Sequence, residues 1–145
     1  MVALVPARQG SKRIPEKNMR LLWGRPLLAY TLEAAKESLV FSHVMLCTDD
    51  PRASAIAADH GAGVIMRDPV SDDQADVVWI RDAFKAMDLR PDAFALLRPT
   101  SPFRTAETIR RAFAQFTQPG NTADSLRAVE PVRNHPGKMW TLNHG

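Results

Sequence analysis

Cysteine is nearly missing from this sequence: Cys47 stands alone among 145 residues. One thiol excludes an internal disulfide framework and fits a reducing compartment. On a predicted strand, Cys47 reads as core rather than as a nucleophile. No apolar run reaches the length that a bilayer demands, and the opening residues lack the charged and apolar regions of a signal peptide. Those absences lead to the expectation of a soluble cytoplasmic protein with no membrane partner. The four histidines are scattered, with no ligand spacing to one another or to Cys47. There are no internal repeats and no low-complexity tracts, and no Ser-His-Asp arrangement suggests itself.

What is present is an ordinary globular balance, 45% apolar and 24% charged, in a length that suits one domain with a real core. The net charge of +3 is unevenly placed. Residues 1–25 hold the basic side chains Arg8, Lys12, Arg13, Lys17, Arg20 and Arg25 against one acid, Glu16, out of chain totals of 19 and 16. The remainder is therefore slightly acidic. A nucleic-acid binder more often carries a wide basic stripe, so a compact anionic ligand is favoured and no nucleic-acid partner is expected.

The hydrophobic pattern alternates between strand and helix. Val2–Val5 reads as a buried first strand, Val44–Thr48 as a second, Val64–Met66 as a short third and Ala93–Leu97 as a fourth. Helices are predicted over Leu27–Ser38 and from the Asp50-Pro51 start to His60-Gly61. A third runs through Met87 on an apolar stripe of Val77, Ile80, Phe84 and Met87. Thr105 caps a fourth, with Ile109, Ala112, Phe113 and Phe116 facing inward. Ser125–Val129 reads as a fifth strand and Met139–Leu142 as another. Such alternation predicts an α/β fold, a parallel sheet with helices on both faces. Ligands of such sheets lie beyond the carboxyl ends of the strands, where the strand order reverses. In the commonest arrangement the reversal falls between the first and fourth strands. That brings the loop of Arg8–Asn18 beside the loop of Arg98–Arg104.

The first loop reads Pro6-Ala7-Arg8-Gln9-Gly10-Ser11-Lys12-Arg13-Ile14-Pro15-Glu16-Lys17-Asn18. It holds neither GxxxxGK[ST] nor GxGxxG. Gly10 and Ser11 let the backbone approach phosphate oxygens, and Arg8 and Lys17 can neutralise charge that moves onto a leaving pyrophosphate. Pro15 stiffens the loop. The plainer alternative is a solvated basic surface loop.

Ala7 through Asn18 resembles the N-terminal signature of the acylneuraminate cytidylyltransferases, the CMP-sialic acid synthetase family. The resemblance continues through Pro26-Leu27-Leu28-Ala29-Tyr30-Thr31 and Cys47-Thr48-Asp49-Asp50, then Pro99-Thr100-Ser101-Pro102-Phe103-Arg104 and His135-Pro136-Gly137-Lys138-Met139-Trp140. It implies a Rossmann-like nucleotidyltransferase domain over residues 1–145, a three-layer α/β/α sandwich with a mostly parallel sheet. The activity it implies is transfer of CMP from CTP to an acidic nine-carbon sugar, a sialic acid or related nonulosonic acid, with release of pyrophosphate. Mg²⁺ is the cofactor it implies, and a homodimer the assembly. Ala7, Arg8, Gly10, Ser11, Lys12, Lys17 and Asn18 would engage the CTP phosphates, with Arg8 and Lys17 catalytic, while Arg67 would read the cytosine. Arg98, Thr100, Ser101, Arg104 and Lys138 would face the acidic sugar. For Arg67 and Lys138 the plainer alternative is ordinary surface charge.

Two departures stand out. Where the family usually has glutamine before Pro-Thr-Ser-Pro, this chain has Arg98, which adds charge and bulk and leaves the acceptor open. Family members also continue well beyond Gly145, in a portion that carries paired aspartates for Mg²⁺ and much of the dimer-forming segment. The metal ligands in this chain are therefore unknown. Asp49-Asp50 is better explained by a helix cap at Asp50, and Asp72, Asp73 and Asp76 by a loop and helix start that favour negative charge. The alternatives are a truncated nucleotide-binding module with impaired catalysis, or a sister sugar nucleotidyltransferase with another acceptor. An octulosonate-type enzyme is disfavoured, because its loop lacks the Ser-Lys-x-x-Pro-x-Lys-Asn form.

Overall fold

The first strand is apolar at nearly every position, and only a strand covered on both faces needs that. The computed structural model describes residues 1–10, 14–68 and 75–129. Its elements, in chain order, are β1 (Val2–Ala7), a 3-10 turn (Lys17–Met19), β2 (Leu21–Leu22), β3 (Arg25–Pro26) and α1 (Leu27–Ser38). They continue with β4 (His43–Thr48), α2 (Pro51–Asp59), β5 (Gly63–Met66), α3 (Asp76–Ala86), β6 (Phe94–Leu96) and α4 (Ala106–Phe116).

Four strands form one parallel sheet in the order β5-β4-β1-β6. Successive side chains of a strand point to opposite faces, and the core divides accordingly. Ala3, Val5 and Ala7 of β1, with Val44 and Leu46 of β4, pack against Leu28 and Leu32 of α1, Ala53 and Ala57 of α2, and Ile109 of α4. On the other face, Val2, Leu4 and Cys47 meet Trp79 and Ala83 of α3. This is the three-layer α/β/α arrangement expected. The chain moves outward from β1 to β4 to β5, then crosses back to place β6 on the other side of β1. The strand order therefore reverses between β1 and β6, as the pattern predicts.

Local signals set several boundaries. Asp50 caps α2 by accepting from the Arg52 N–H at 3.0 Å, with Pro51 at the first helical position. Thr105 caps α4 by accepting from the Thr108 N–H at 3.2 Å. The predicted span of α1 is the observed one.

Three findings differ from expectation. Val77 does not belong to the buried stripe of α3: it is 69% exposed, while Trp79 is 6% exposed. Positions 77 and 79 lie nearly opposite on a helix, and the larger apolar surface of the indole takes the face toward the sheet. Residues 125–129 form no strand: every one of them is exposed, so the segment has no buried apolar face to hold it in a sheet. The predicted strand at Met139–Leu142 lies outside the described residues. A β2–β3 hairpin was not expected. Trp23 (φ 49°) and Gly24 (φ 78°) turn it with two positive φ angles, as a type I′ turn requires. Tryptophan in the first of those places hides the turn from a search for Asn-Gly or Asp-Gly. Among the described residues, no helix is long and apolar enough to cross a membrane.

Candidate functional site

Strand register places the chemistry. Ala7, Thr48 and Met66 lie side by side across β1, β4 and β5. The next residue of each strand, Arg8, Asp49 and Arg67, leaves the carboxyl edge together. On the other side of β1, β6 ends at Leu96 opposite Leu4, and the Leu97 N–H still bonds to the Leu4 carbonyl at 2.9 Å. Arg98 and the loop to Arg104 thus emerge at the same edge, across the reversal in strand order.

The loop after β1 is tied to the corner between β4 and α2. Thr48 Oγ1 donates to the Ala7 carbonyl at 2.6 Å and accepts from the Asp50 N–H at 3.0 Å. Asp49 Oδ1 accepts from the Gln9 N–H at 2.6 Å. Asn18 Nδ2 donates to the Arg8 carbonyl at 3.1 Å, which closes the loop upon itself. Gly10 takes φ 76°, a conformation that suits glycine. Glu16, also in the left-handed region at φ 50°, precedes the short turn that Lys17 opens. Arg8, Gly10, Lys17 and Asn18 therefore belong to one clamped loop. Ser11 and Lys12 lie outside the described residues.

Arg67 holds the Thr48 carbonyl through its own N–H at 3.0 Å. Its guanidinium carbon stands 5.5 Å from the centre of the Trp79 ring. Its Nε is buried and has no hydrogen-bond partner among the described residues. Burial pulls its pKa below the ordinary arginine value, opposed by the negative charge of Asp49. An unpaired buried guanidinium N–H is costly, so a polar group brought to this place gains by pairing with it.

In the loop after β6, the Arg98 guanidinium pairs with Asp76 at the start of α3. Arg104 Nη2 donates to the Arg98 carbonyl at 3.3 Å, while its Nη1 is buried without a partner among the described residues. Burial lowers the Arg104 pKa as well. Thr100 and Ser101 are exposed on the same loop. The tip of the hairpin lies against it, with the Trp23 and Phe103 rings 5.9 Å apart. Lys138 lies outside the described residues.

Sequence reasoning missed Asp49 as a tether, Arg52 as a bridge and Trp79 as a platform. Only the register of parallel strands could have pointed to the first. Among the described residues, no group of three His, Cys, Asp or Glu side chains gathers as a metal site. Asp49 and Asp50 each already hold a partner. Those residues do not fit a preformed protein cage for Mg²⁺.

A parallel sheet of this order, with its basic loops at the switch point, defines a Rossmann-like nucleotidyltransferase fold. The structure of a CMP:2-keto-3-deoxy-manno-octonic acid synthetase complexed with CTP superposes with a TM-score of 0.66. That match has 23% identity and covers 79% of this chain and 46% of that one. A cytidylyltransferase from Leptospira borgpetersenii superposes with a TM-score of 0.64 at 22% identity, over 81% of this chain and 50% of that one. The chain belongs to the cytidylyltransferase family, whose model matches residues 2–140. It is 37% identical to the CMP-N,N'-diacetyllegionaminic acid synthase of Legionella pneumophila, over 94% of this chain and 60% of that protein. It is 40% identical to the N-acylneuraminate cytidylyltransferase of Escherichia coli, over 77% of this chain and 27% of that protein. The chain thus spans between about a quarter and three fifths of the length of these curated relatives.

Proposed function

We propose that this chain binds CTP at the carboxyl edge of its sheet and transfers CMP to a hydroxyl of an acidic nine-carbon sugar, releasing pyrophosphate. The observation that carries the reading is the joint emergence of Arg8, Asp49 and Arg67 beyond the aligned Ala7, Thr48 and Met66. The names of the relatives agree with it in chemistry.

The loop after β1 takes the triphosphate. Ala7, Gly10 and Asn18 shape it, Ser11 and Lys12 are assigned to the phosphates by their place in the motif, and Arg8 and Lys17 bring positive charge to the departing pyrophosphate. Arg67 reads the cytosine with N–H donors that its cation–π contact with Trp79 does not use. Arg98, Thr100, Ser101, Arg104 and Lys138 form the acceptor side. The acceptor hydroxyl oxygen attacks the α-phosphorus in line, one P–O bond forms, and the bond to the pyrophosphate breaks. Mg²⁺ belongs to the proposal as an ion that arrives largely coordinated by the phosphates. A cytoplasmic location and a homodimer belong to it too.

The experiment is calorimetric titration with CTP, followed by a pyrophosphate-release assay with a sialic-type sugar and Mg²⁺. Binding and release together are expected. Arg8→Ala should weaken CTP binding and turnover while leaving the fold intact, because Arg8 lies on a loop outside the core. Wild-type CTP affinity and turnover in that variant would remove the phosphate-loop assignment. Absence of CTP binding by the parent chain would remove the whole reading.

A further inference from the structure

Arg98 and Arg67 follow different strands, yet one line of contacts joins them. Arg98 pairs with Oδ2 of Asp76. The second oxygen of that carboxylate, Oδ1, accepts from Trp79 Nε1 at 3.0 Å. The Trp79 indole is buried in the cluster of Val2, Leu4, Cys47 and Ala83, and the Arg67 guanidinium lies over its ring. Asp76 thus spends both oxygens on residues that lead to the two sides of the cleft.

Each contact constrains the next. A buried indole must find an acceptor for its single N–H, and where that acceptor stands decides which way the ring turns. The ring face in turn decides where the guanidinium rests. A guanidinium held over a ring by cation–π attraction spends none of its N–H donors on that contact. Consistent with this, Arg67 Nε has no hydrogen-bond partner among the described residues.

We infer that Asp76 is a positioning residue: through the Trp79 indole it fixes the platform on which the Arg67 guanidinium rests. Its salt bridge with Arg98 couples that platform to the loop after β6. The expected consequence, preference for cytosine, rests on the reading of Arg67 as the base-recognising residue. The residue at position 98 then influences the nucleotide side of the site as well as the acceptor side.

The test compares dissociation constants for CTP and UTP, measured calorimetrically on the full chain. The variants are Arg67→Ala, Asp76→Ala, Asp76→Asn and Trp79→Phe, each checked by circular dichroism and thermal melting. Asp76→Ala should lower the CTP preference by about tenfold, the scale of a desolvated cation–π contact, while UTP affinity holds. Asp76→Asn keeps an acceptor for the indole and should restore most of the preference. If Asp76→Ala does not fold, Trp79→Phe, which keeps a ring but drops the N–H, must shift the preference in the same direction. A general structural role would weaken both nucleotides equally, and that result overturns the inference. So does an unchanged preference in the folded Asp76 variant when Arg67→Ala lowers it. If Arg67→Ala leaves the preference unchanged, the base-reading role itself fails. The NMR signal of the Arg67 Nε–H then decides the positioning role alone. It should carry a ring-current shift that Asp76→Ala abolishes, and an unmoved signal overturns the inference.

Discussion

Arg52 reaches from the first turn of α2 to Glu16, with its Nη1 2.7 Å from Glu16 Oε1, while its Nε and Nη2 hold both oxygens of Asp50. Arg52 and Glu16 are exposed, and such pairs contribute little to global stability. What the contact does is local. It holds Glu16, which is in the left-handed conformation immediately before Lys17, and so anchors the far end of the loop after β1 to the same corner that holds Gln9.

Glu16→Gln separates two explanations of that pair by sign. Removing a negative charge near a triphosphate raises affinity if only the long-range field matters. Removing the anchor of Lys17 lowers it. Affinity for CTP, measured by titration, is expected to fall several-fold, with almost no change in melting temperature. A rise in affinity would show that the pair does not organise the loop.

Asp50 gives a prediction in pH. Its hydrogen bond with Arg52 holds its carboxyl below the usual carboxylate range, despite the opposing effect of burial. A lowered folded-state pKa means that the contribution is present above the unfolded carboxyl value and is lost as pH falls through the folded one. Asp50→Ala should cost about 1 kcal/mol near neutral pH, the ordinary worth of an N-cap. In urea melts, the gap between the two proteins should narrow below about pH 4, as the wild-type carboxylate is protonated. A gap that stays constant down to strong acid would mean that the charge of Asp50 contributes nothing.

These residues also show what the sequence made legible. The Asp50-Pro51 pair announces its helix start, because a cap is a local arrangement of three or four residues. The apolar run of β1 announces a buried strand, and the alternation of elements announces a parallel sheet, whose order follows the commonest arrangement. Asp49 announces nothing beyond the cap beside it. Its bond to the Gln9 N–H joins residues forty apart, and only the pairing of β1 with β4 brings them together. Trp79 was hidden for a similar reason. Spacing alone counts Val77 into the stripe of α3, whereas the sheet selects the face that buries the indole. Basic composition marked the loop after β1 and the Pro-Thr-Ser-Pro motif the loop after β6, but neither marked the line from Arg98 through Asp76 and Trp79 to Arg67.

Cys47 lies in the core beneath this site, and burial pushes its thiol up to about 11, with the charge of Arg67 pulling weakly the other way. Its raised folded-state pKa stabilises the fold below the unfolded thiol value, and that contribution is lost as pH rises through about 11. Native protein at pH 8 should resist iodoacetamide, and the same chain in urea should be alkylated readily. Mass spectrometry of the two samples reads the difference. Comparable labelling of native and unfolded chains would contradict the burial of this strand.

Arg104 carries the acceptor side of the proposal to its sharpest test. Its Nη1 is buried with no partner among the described residues, although Nη2 is already held by the Arg98 carbonyl. A carboxylate on the acceptor sugar can complete that guanidinium, and a charge-assisted bond of this kind is worth about 1.5–3 kcal/mol. Arg104→Ala should therefore raise KM for the acidic sugar by about tenfold or more, with KM for CTP near the wild-type value. Arg104→Lys restores the charge without the planar fork and should recover only part of the loss. Steady-state kinetics with each substrate varied in turn separates the outcomes. An equal rise in both constants would place Arg104 in the support of the fold, and an unchanged constant for the sugar would move the carboxylate to another cation.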